Sequence, residues 1–112
     1  MRLLLDTHAL LWWLADDAAL AQAARAAIAD GGNEVFVSAA SAWEIAIKHE
    51  LGKLDVPQDL TEAIDSAAFT GLPITIEHAR LAGALSPHHR DPFDRMLIAQ
   101  AQAESLTIVT RD

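Results

Sequence analysis

The 112-residue chain contains no cysteine. Disulfides and thiolate-based zinc sites are therefore excluded, and a reducing compartment is permitted. Nor does the chain contain an apolar run that would span a bilayer, which takes about 20 residues. Its most leucine-rich stretch, RLLLDTHALLWWL at Arg2–Leu14, is broken by Asp6 and His8. That run is too short and too polar for a transmembrane helix or a signal-peptide core. A cytoplasmic protein without membrane contact is the expectation. Repeats, low-complexity tracts and linkers are also missing, and the length suits one domain over 1–112. Such a domain buries roughly 65% of its unfolded surface, enough for a true core.

Basic residues are scarce, with 8 Lys and Arg against 16 Asp and Glu, a formal net charge of −8. This argues against a passive nucleic-acid binder, whose footprint is a basic patch. It argues less against a metal-dependent nuclease. That chemistry needs clustered carboxylates, and the metal ions supply the positive charge.

What the chain has in quantity is apolar sequence, 52% of it, much of it alanine. Helices should therefore dominate. Leu3–Asp6 reads as a short buried strand and His8–Leu14 as a helix. Asp16 or Asp17 would cap a second helical run through Ile28, stopped by Gly31-Gly32. Val35–Val37 reads as a buried strand. Ser38 would cap a helix over 40–51, with Gly52 following its end. Pro57 would open a helix over about 58–69. Leu72–Thr75 reads as a third strand and Glu77–Leu85 as a short helix. Ser86–Arg90 is a polar loop. Asp91-Pro92 then starts a helix through about Glu104, with an acid at the N-cap, proline at N1 and Asp94 at N3. Leu106–Thr110 reads as a fourth strand. Strands alternating with helices imply an α/β fold with a parallel sheet covered on both faces.

In an open sheet of this kind, ligands bind beyond the carboxyl ends of the strands. Asp6 follows the first strand and Asp112 the fourth. Glu44 lies just over one turn into the helix after the second strand. Asp94 lies in the first turn of the helix that precedes the fourth. Right-handed crossovers allow that helix to begin near the carboxyl edge. Each acid also has an ordinary explanation. Asp6 and Asp91 are plausible helix caps, Asp112 a loop acid, and Glu44 is spaced to pair with Lys48 on a solvated face. Convergence changes the physics. Two carboxylates about 4 Å apart repel by about 4 kcal/mol at an effective dielectric near 20. Such a cluster spreads, takes up protons, or binds a cation. Mg²⁺ or Mn²⁺ would suit oxygen donors, and phosphodiester hydrolysis would follow from an activated water.

Three stretches carry a family resemblance: LLLDTHALLWWL, VSAASAWEIAIKHELGKL and HHRDPFDRMLIAQAQAESLTIVTRD. Together they resemble the PIN-domain ribonucleases, in particular the toxins of VapBC-type toxin–antitoxin pairs. The resemblance covers essentially the whole chain. It implies a three-layer αβα domain with a short, mostly parallel sheet of four to five strands. It implies an endoribonuclease that uses Mg²⁺ or Mn²⁺, with RNA as substrate, a VapB-like antitoxin as partner, and a homodimer. Carried over by motif, Asp6, Glu44, Asp94 and Asp112 are the catalytic acids, with Asp6, Asp94 and Asp112 as metal ligands. Asp91 matches a helix cap. Thr7, Ser38 and Thr110 match positions where small hydroxyl residues orient a carboxylate or a metal-bound water. Family members usually continue further than Asp112, so the domain is expected to lack a C-terminal segment.

Arg90, Arg95 and Arg111 flank the acids and are candidates for holding the RNA backbone, against a reading as ordinary surface charge. His88 and His89 fall in the polar loop and, with His8, read as polar surface or phosphate contacts before metal ligands. Trp12, Trp13 and Trp43 read as core or interface anchors before base-stacking platforms. Two other Mg²⁺-dependent α/β classes fit less well. A receiver domain wants an acid at the end of its third strand, and a haloacid-dehalogenase-type phosphatase wants Asp-x-Asp where this chain has Asp6-Thr7-His8. A non-catalytic binding module, its acids serving as caps and surface charge, is the remaining alternative.

Overall fold

The computed structural model describes residues 1–56, 59–88 and 90–110. The positions Pro57, Gln58, His89, Arg111 and Asp112 lie outside them. The chain begins with β1 (Arg2–Leu5), α1 (Thr7–Leu14) and α2 (Gln22–Ala29). Next come β2 (Glu34–Ser38), α3 (Ala39–Glu50), α4 (Leu60–Ser66) and β3 (Thr70–Leu72). It ends with α5 (Ile76–Ala84), α6 (Pro92–Glu104) and β4 (Thr107–Val109). The four strands form one sheet in the order β3-β2-β1-β4, with every pairing parallel. This is the expected fold class, with four strands among the described residues.

The chain order explains the layers. From β1 to β2 to β3 the chain steps one way across the sheet; from β3 to β4 it steps back past β1. Crossovers of one hand that move in opposite directions place their helices on opposite faces. The core follows this split. Leu3 and Leu5 of β1 join Leu10, Ile28, Val35, Val37 and Ile45, with Leu60 and Ile64 of α4 packed alongside. Leu4, pointing the other way, joins Phe36, Leu97 and Leu106. Leu3, Leu4 and Leu5 are all at most 1% exposed. Each such side chain contributes on the order of 2 kcal/mol by leaving water, which is why a three-leucine run makes the central strand.

Three elements depart from their expected bounds. The third strand is Thr70–Leu72, not Leu72–Thr75. Thr75 instead caps α5: its hydroxyl accepts from the His78 amide, and His78 Nδ1 accepts from the Thr75 amide, each at 3.1 Å. The fourth helix is short, Leu60–Ser66, and its cap is Asp59, which accepts from Glu62 N. It stops before Phe69 because Ala68 takes a positive φ of 61°, turning the chain into β3. The second helical run starts at Gln22, and its N-cap Ala21 makes no side-chain bond. Asp17 holds the intervening turn through Ala19 N, and Asp16 is ion-paired with Arg25 at 2.8 Å.

α5 and α6 lie antiparallel and are fastened at both ends. At the start of α6, Arg95 donates to the carbonyls of Ala82 and Leu85 at the end of α5. At the end of α6, Glu104 Oε2 is 3.0 Å from His78 Nε2 near the start of α5. Gln100 completes this junction, its Nε2 lying 3.3 Å from both Pro73 O and His78 Nδ1.

Candidate metal-binding cleft

Strand register places the first site residues. Leu5 is level with Val37 on one side and with Val109 on the other. The next residues, Asp6, Ser38 and Thr110, therefore lie at the same height on its carboxyl edge, Ser38 still paired with Leu72 of β3. Asp6 is tied to this edge by its own amide, which donates to Val109 O at 3.0 Å. The chain departs from β1 in both directions across the sheet, so the crevice between β1 and β4 is the reversal point where α/β sheets bind ligands.

A cleft of about 320 Å³ opens there. Asp6, Glu44, Asp91 and Asp94 line it, with Thr7, His8, Lys48 and Thr110. The fold thus gathers three of the four predicted acids, Asp6, Glu44 and Asp94, and two of the three hydroxyl residues, Thr7 and Thr110. Asp112 and Arg111 lie outside the described residues. Ser38 is fully buried and caps α3 through Ala40 N at 3.0 Å, behind the cleft wall.

Each acid is held differently. Asp6 is the N-cap of α1, its Oδ1 accepting from Ala9 N at 2.7 Å. The cap and the cleft position coexist in one residue. Asp91 is the N-cap of α6, with Oδ1 accepting from Phe93 N at 2.8 Å and Asp94 N at 3.3 Å. Asp94 sits in the first turn of the same helix, exposed to the cleft. That helix start favours negative charge because its first amides are unpaired along the chain.

Glu44 is the buried acid, 7% exposed. Burying a carboxylate is costly unless its oxygens are paired, and here both are. Oε1 accepts from Thr7 Oγ1 at 2.6 Å and Oε2 from Lys48 Nζ at 2.7 Å. The spacing did announce the Lys48 pair, but the face is interior rather than solvated. Ser41 Oγ lies 3.1 Å from Thr7 Oγ1 and is itself buried. Because a carboxylate only accepts, the Thr7 proton points to Glu44 and Thr7 in turn accepts from Ser41. Ser41 was not among the sequence candidates. Its position three residues before Glu44, on the same helix face, is the signal that would have found it.

The cations are distributed unevenly. Arg95 turns to the end of α5, and Arg90 is exposed outside the cleft lining. Lys48 lines the cleft. His8 lines it too, its ring 5.9 Å from that of Trp12. His88 is exposed in the loop before α6.

A second, larger space of about 440 Å³ adjoins the cleft and shares Thr7, His8 and Lys48 with it. Its apolar wall residues include Leu11, Trp12 and Leu14 of α1 and Leu54, Val56 and Leu60, with Asp17, Lys53 and Asp55 also in the lining. Trp12 and Trp13 are half-buried against the core, and Trp13 also meets Phe69 at 6.1 Å. Trp43 is 63% exposed and packs edge-on against Phe93 at 5.5 Å.

The donors of the cleft are oxygens, which suit a hard divalent cation. Among the described residues, no group of three or more His, Cys, Asp or Glu side chains is placed to hold a metal ion. Mg²⁺ keeps several waters and is held by one or two carboxylates plus substrate phosphate. Among the described residues, no helix is long and apolar enough to cross a membrane.

Comparison with known proteins gives a consistent result. The sequence model of the PIN domain family matches residues 3–112. Ribonuclease VapC22 of Mycobacterium tuberculosis is 34% identical over 117 aligned positions, covering 97% of this chain and 85% of that protein. Ribonuclease VapC16 of the same organism is 42% identical over 60 residues, 52% of this chain but only 43% of that protein. Among solved structures, VapBC2 from Rickettsia felis, bound to a DNA fragment from its promoter, aligns with a TM-score of 0.71 and 15% identity. That alignment covers 100% of this chain and 89% of the other. A toxin–antitoxin complex from Klebsiella pneumoniae aligns with a TM-score of 0.66 and 20% identity, covering 97% and 85%. At these identities the two structures bear on the fold.

Proposed function

The chain belongs to the PIN-domain family, and on that premise we propose that it is a metal-dependent endoribonuclease, the toxin of a VapBC-type pair. The observation that carries this reading is the meeting of Asp6, Glu44 and Asp94 in one cleft at the sheet's reversal point. Ribonuclease names on relatives 34% and 42% identical support it. The substrate is RNA, the cofactor Mg²⁺ or Mn²⁺, the setting the cytoplasm, and the partner a VapB-like antitoxin. The apolar groove beside the cleft is suited to such a partner, and a homodimer fits the family.

Asp6 and Asp94 would hold the ion, with Asp112 as a third ligand. When bound, the ion supplies a water of lowered pKa and neutralises charge gathering on the scissile phosphate. The chain's own residues do the rest. The α1 cap fixes Asp6 Oδ1, so the carboxylate cannot rotate away from the edge. Thr7 and Lys48 clamp both oxygens of Glu44, which keeps this acid aimed at the cleft and ready to accept a hydrogen bond from water or ribose. Thr110 borders the same space from β4.

The test is cleavage of a mixed RNA pool with and without Mn²⁺, wild type beside Asp6→Asn and Asp94→Asn. Metal-dependent cleavage should fall by at least about 100-fold in both variants, since even outer-sphere changes at metal sites cost 10–100-fold. Mn²⁺ should raise the melting temperature of the wild type through ligand linkage, and Asp6→Asn should lose that gain. A non-catalytic binding module would show neither effect. Wild-type-like cleavage by either variant would remove that residue from the site.

A further inference from the structure

We infer that Lys48 is the residue that binds the RNA backbone at the cleft, an inference that rests on the ribonuclease reading above. Among the described residues, Lys48 is the only Lys or Arg lining the acidic cleft. Of the three arginines named for this role from the sequence, Arg111 lies outside the described residues and the other two are placed elsewhere. Arg95 donates to Ala82 O and Leu85 O, and Arg90 is outside the lining. Arg25 is paired with Asp16, Arg80 with Glu77, and Arg2 with Glu104 O, while Lys53 lines only the adjoining space.

Lys48 is built for two contacts. It lies one helical turn after Glu44, so both side chains leave the same face of α3. Its Nζ donates to Glu44 Oε2 at 2.7 Å while 42% of its side chain stays exposed. An ammonium has three donors, and Glu44 takes one. The ammonium therefore stands at the mouth of the cleft, anchored in direction by a buried carboxylate and still reachable from solvent. A phosphodiester entering a cleft of carboxylates on a chain of net charge −8 meets repulsion. One fixed cation beside Glu44 offsets that locally and selects the phosphate next to the reacting one. Lys48 also lines the apolar groove, so a groove occupant would compete for the same ammonium.

The simpler role is counter-ion to Glu44 alone, and the two are separable without catalysis. A short single-stranded RNA is titrated, over a range of NaCl, against the Asp6→Asn chain, which is expected to bind without cutting. The same is done with Lys48→Met, Lys48→Arg and Arg80→Met added. Each phosphate contact on a single strand contributes about 0.7 to the slope of log K against log salt. Lys48→Met should lower the slope by about that amount and weaken binding several-fold. Lys48→Arg should restore the slope, and Arg80→Met, distant from the cleft, should leave it unchanged. Melting curves of each variant check folding. An unchanged slope in Lys48→Met overturns the assignment and leaves Lys48 as counter-ion only. An equal fall in Arg80→Met also overturns it, because the effect would then be net charge. If the wild type with Mn²⁺ cuts no RNA, the ribonuclease reading fails separately, on the cleavage assay.

Discussion

Two polar networks are buried between helices here, one joining α1 to α3 and one joining α5 to α6. In the first, Ser41, Thr7 and Lys48 surround the carboxylate of Glu44. In the second, Thr75, Gln100 and Glu104 surround the imidazole of His78, which is 1% exposed. The first pairs both oxygens of its buried carboxylate, as a buried polar group requires; the second leaves Gln100 Oε1 buried without a hydrogen-bond partner among the described residues. They differ in what is buried and in what lies beyond it. The α1–α3 network buries an acid and opens on a cleft holding Asp6 and Asp94. The α5–α6 network buries a base, and its acid, Glu104, is 39% exposed. It fastens two antiparallel helices. Here the buried titratable group that opens on a cleft with further carboxylates is Glu44, and His78 opens on none of them.

The sharpest way to break this comparison is to neutralise the acid of each network. Glu44→Gln should lower RNA cleavage by at least about 100-fold with the fold retained, as expected for a group that orients a metal site. Glu104→Gln should leave the cleavage rate within about twofold. Initial rates with Mn²⁺, with circular dichroism as the folding control, decide it. Equal losses would mean that both networks serve the reaction, and the distinction drawn here would fall.

Stability should show the reverse order. His78→Ala removes the acceptor of the Thr75 amide and leaves a void beside Gln100. The cost should be about 2–3 kcal/mol, or a melting temperature lower by roughly 10 °C. Mn²⁺ should still raise the melting temperature of this variant. Loss of the metal response would show that the α5–α6 junction supports the cleft directly.

A smaller effect separates the two acids that begin α6. Asp91→Ala removes the cap and should cost about 1 kcal/mol, while Asp91→Asn keeps it and should cost under about 0.5 kcal/mol. Both should cleave RNA, because Asp91 spends its Oδ1 on Phe93 N and Asp94 N. A loss in Asp91→Asn as deep as that in Asp94→Asn would exchange the roles of the pair.

The two networks were not equally legible in the sequence. Asp6 and Asp94 stand out because one follows a strand and the other opens a helix, and Glu44 lies just over one turn into the helix after the second strand; strand ends in a parallel sheet share an edge. The α6 start was readable in full, since Asp91, Pro92 and Asp94 each have a distinct physical reason to be there. Ser38 and Gly52 likewise bracket α3, and Gly52 takes the positive φ of 71° that ends it. The α5–α6 junction was not readable. Its cap pairs Thr75 with His78, where the usual partner is Glu or Gln, and Leu72–Thr75 looked like a strand. Arg95 was misleading for another reason. Sequence places it beside Asp94, but successive helix positions diverge by about 100°, and its guanidinium serves the end of α5. The placement of Lys48 in the cleft needed the third dimension, because i,i+4 spacing alone describes a surface pair equally well.

The smallest expected effect lies on the exposed face of α5, where Glu77 and Arg80 form a two-pronged pair at 3.0 and 2.8 Å. Arg80 donates both bonds, and they hold the Glu77 carboxyl below its usual range. The same contact raises Arg80. A carboxyl whose pKa is lower folded than unfolded adds stability above the unfolded value, near pH 4.3. That contribution is lost as pH falls through the folded value. Arg80→Met should therefore leave the melting temperature near wild type at pH 7, because exposed pairs are screened by solvent and salt. Any difference between the two chains should shrink further as pH falls through the lowered folded value of Glu77. Glu44–Lys48 has the same four-atom chemistry of ammonium or guanidinium against carboxylate, but with its acid buried. If Arg80→Met and Lys48→Met destabilised the protein equally at pH 7, burial of Glu44 would not be what distinguishes the cleft pair, and the contrast between interior and surface charge would lose its footing.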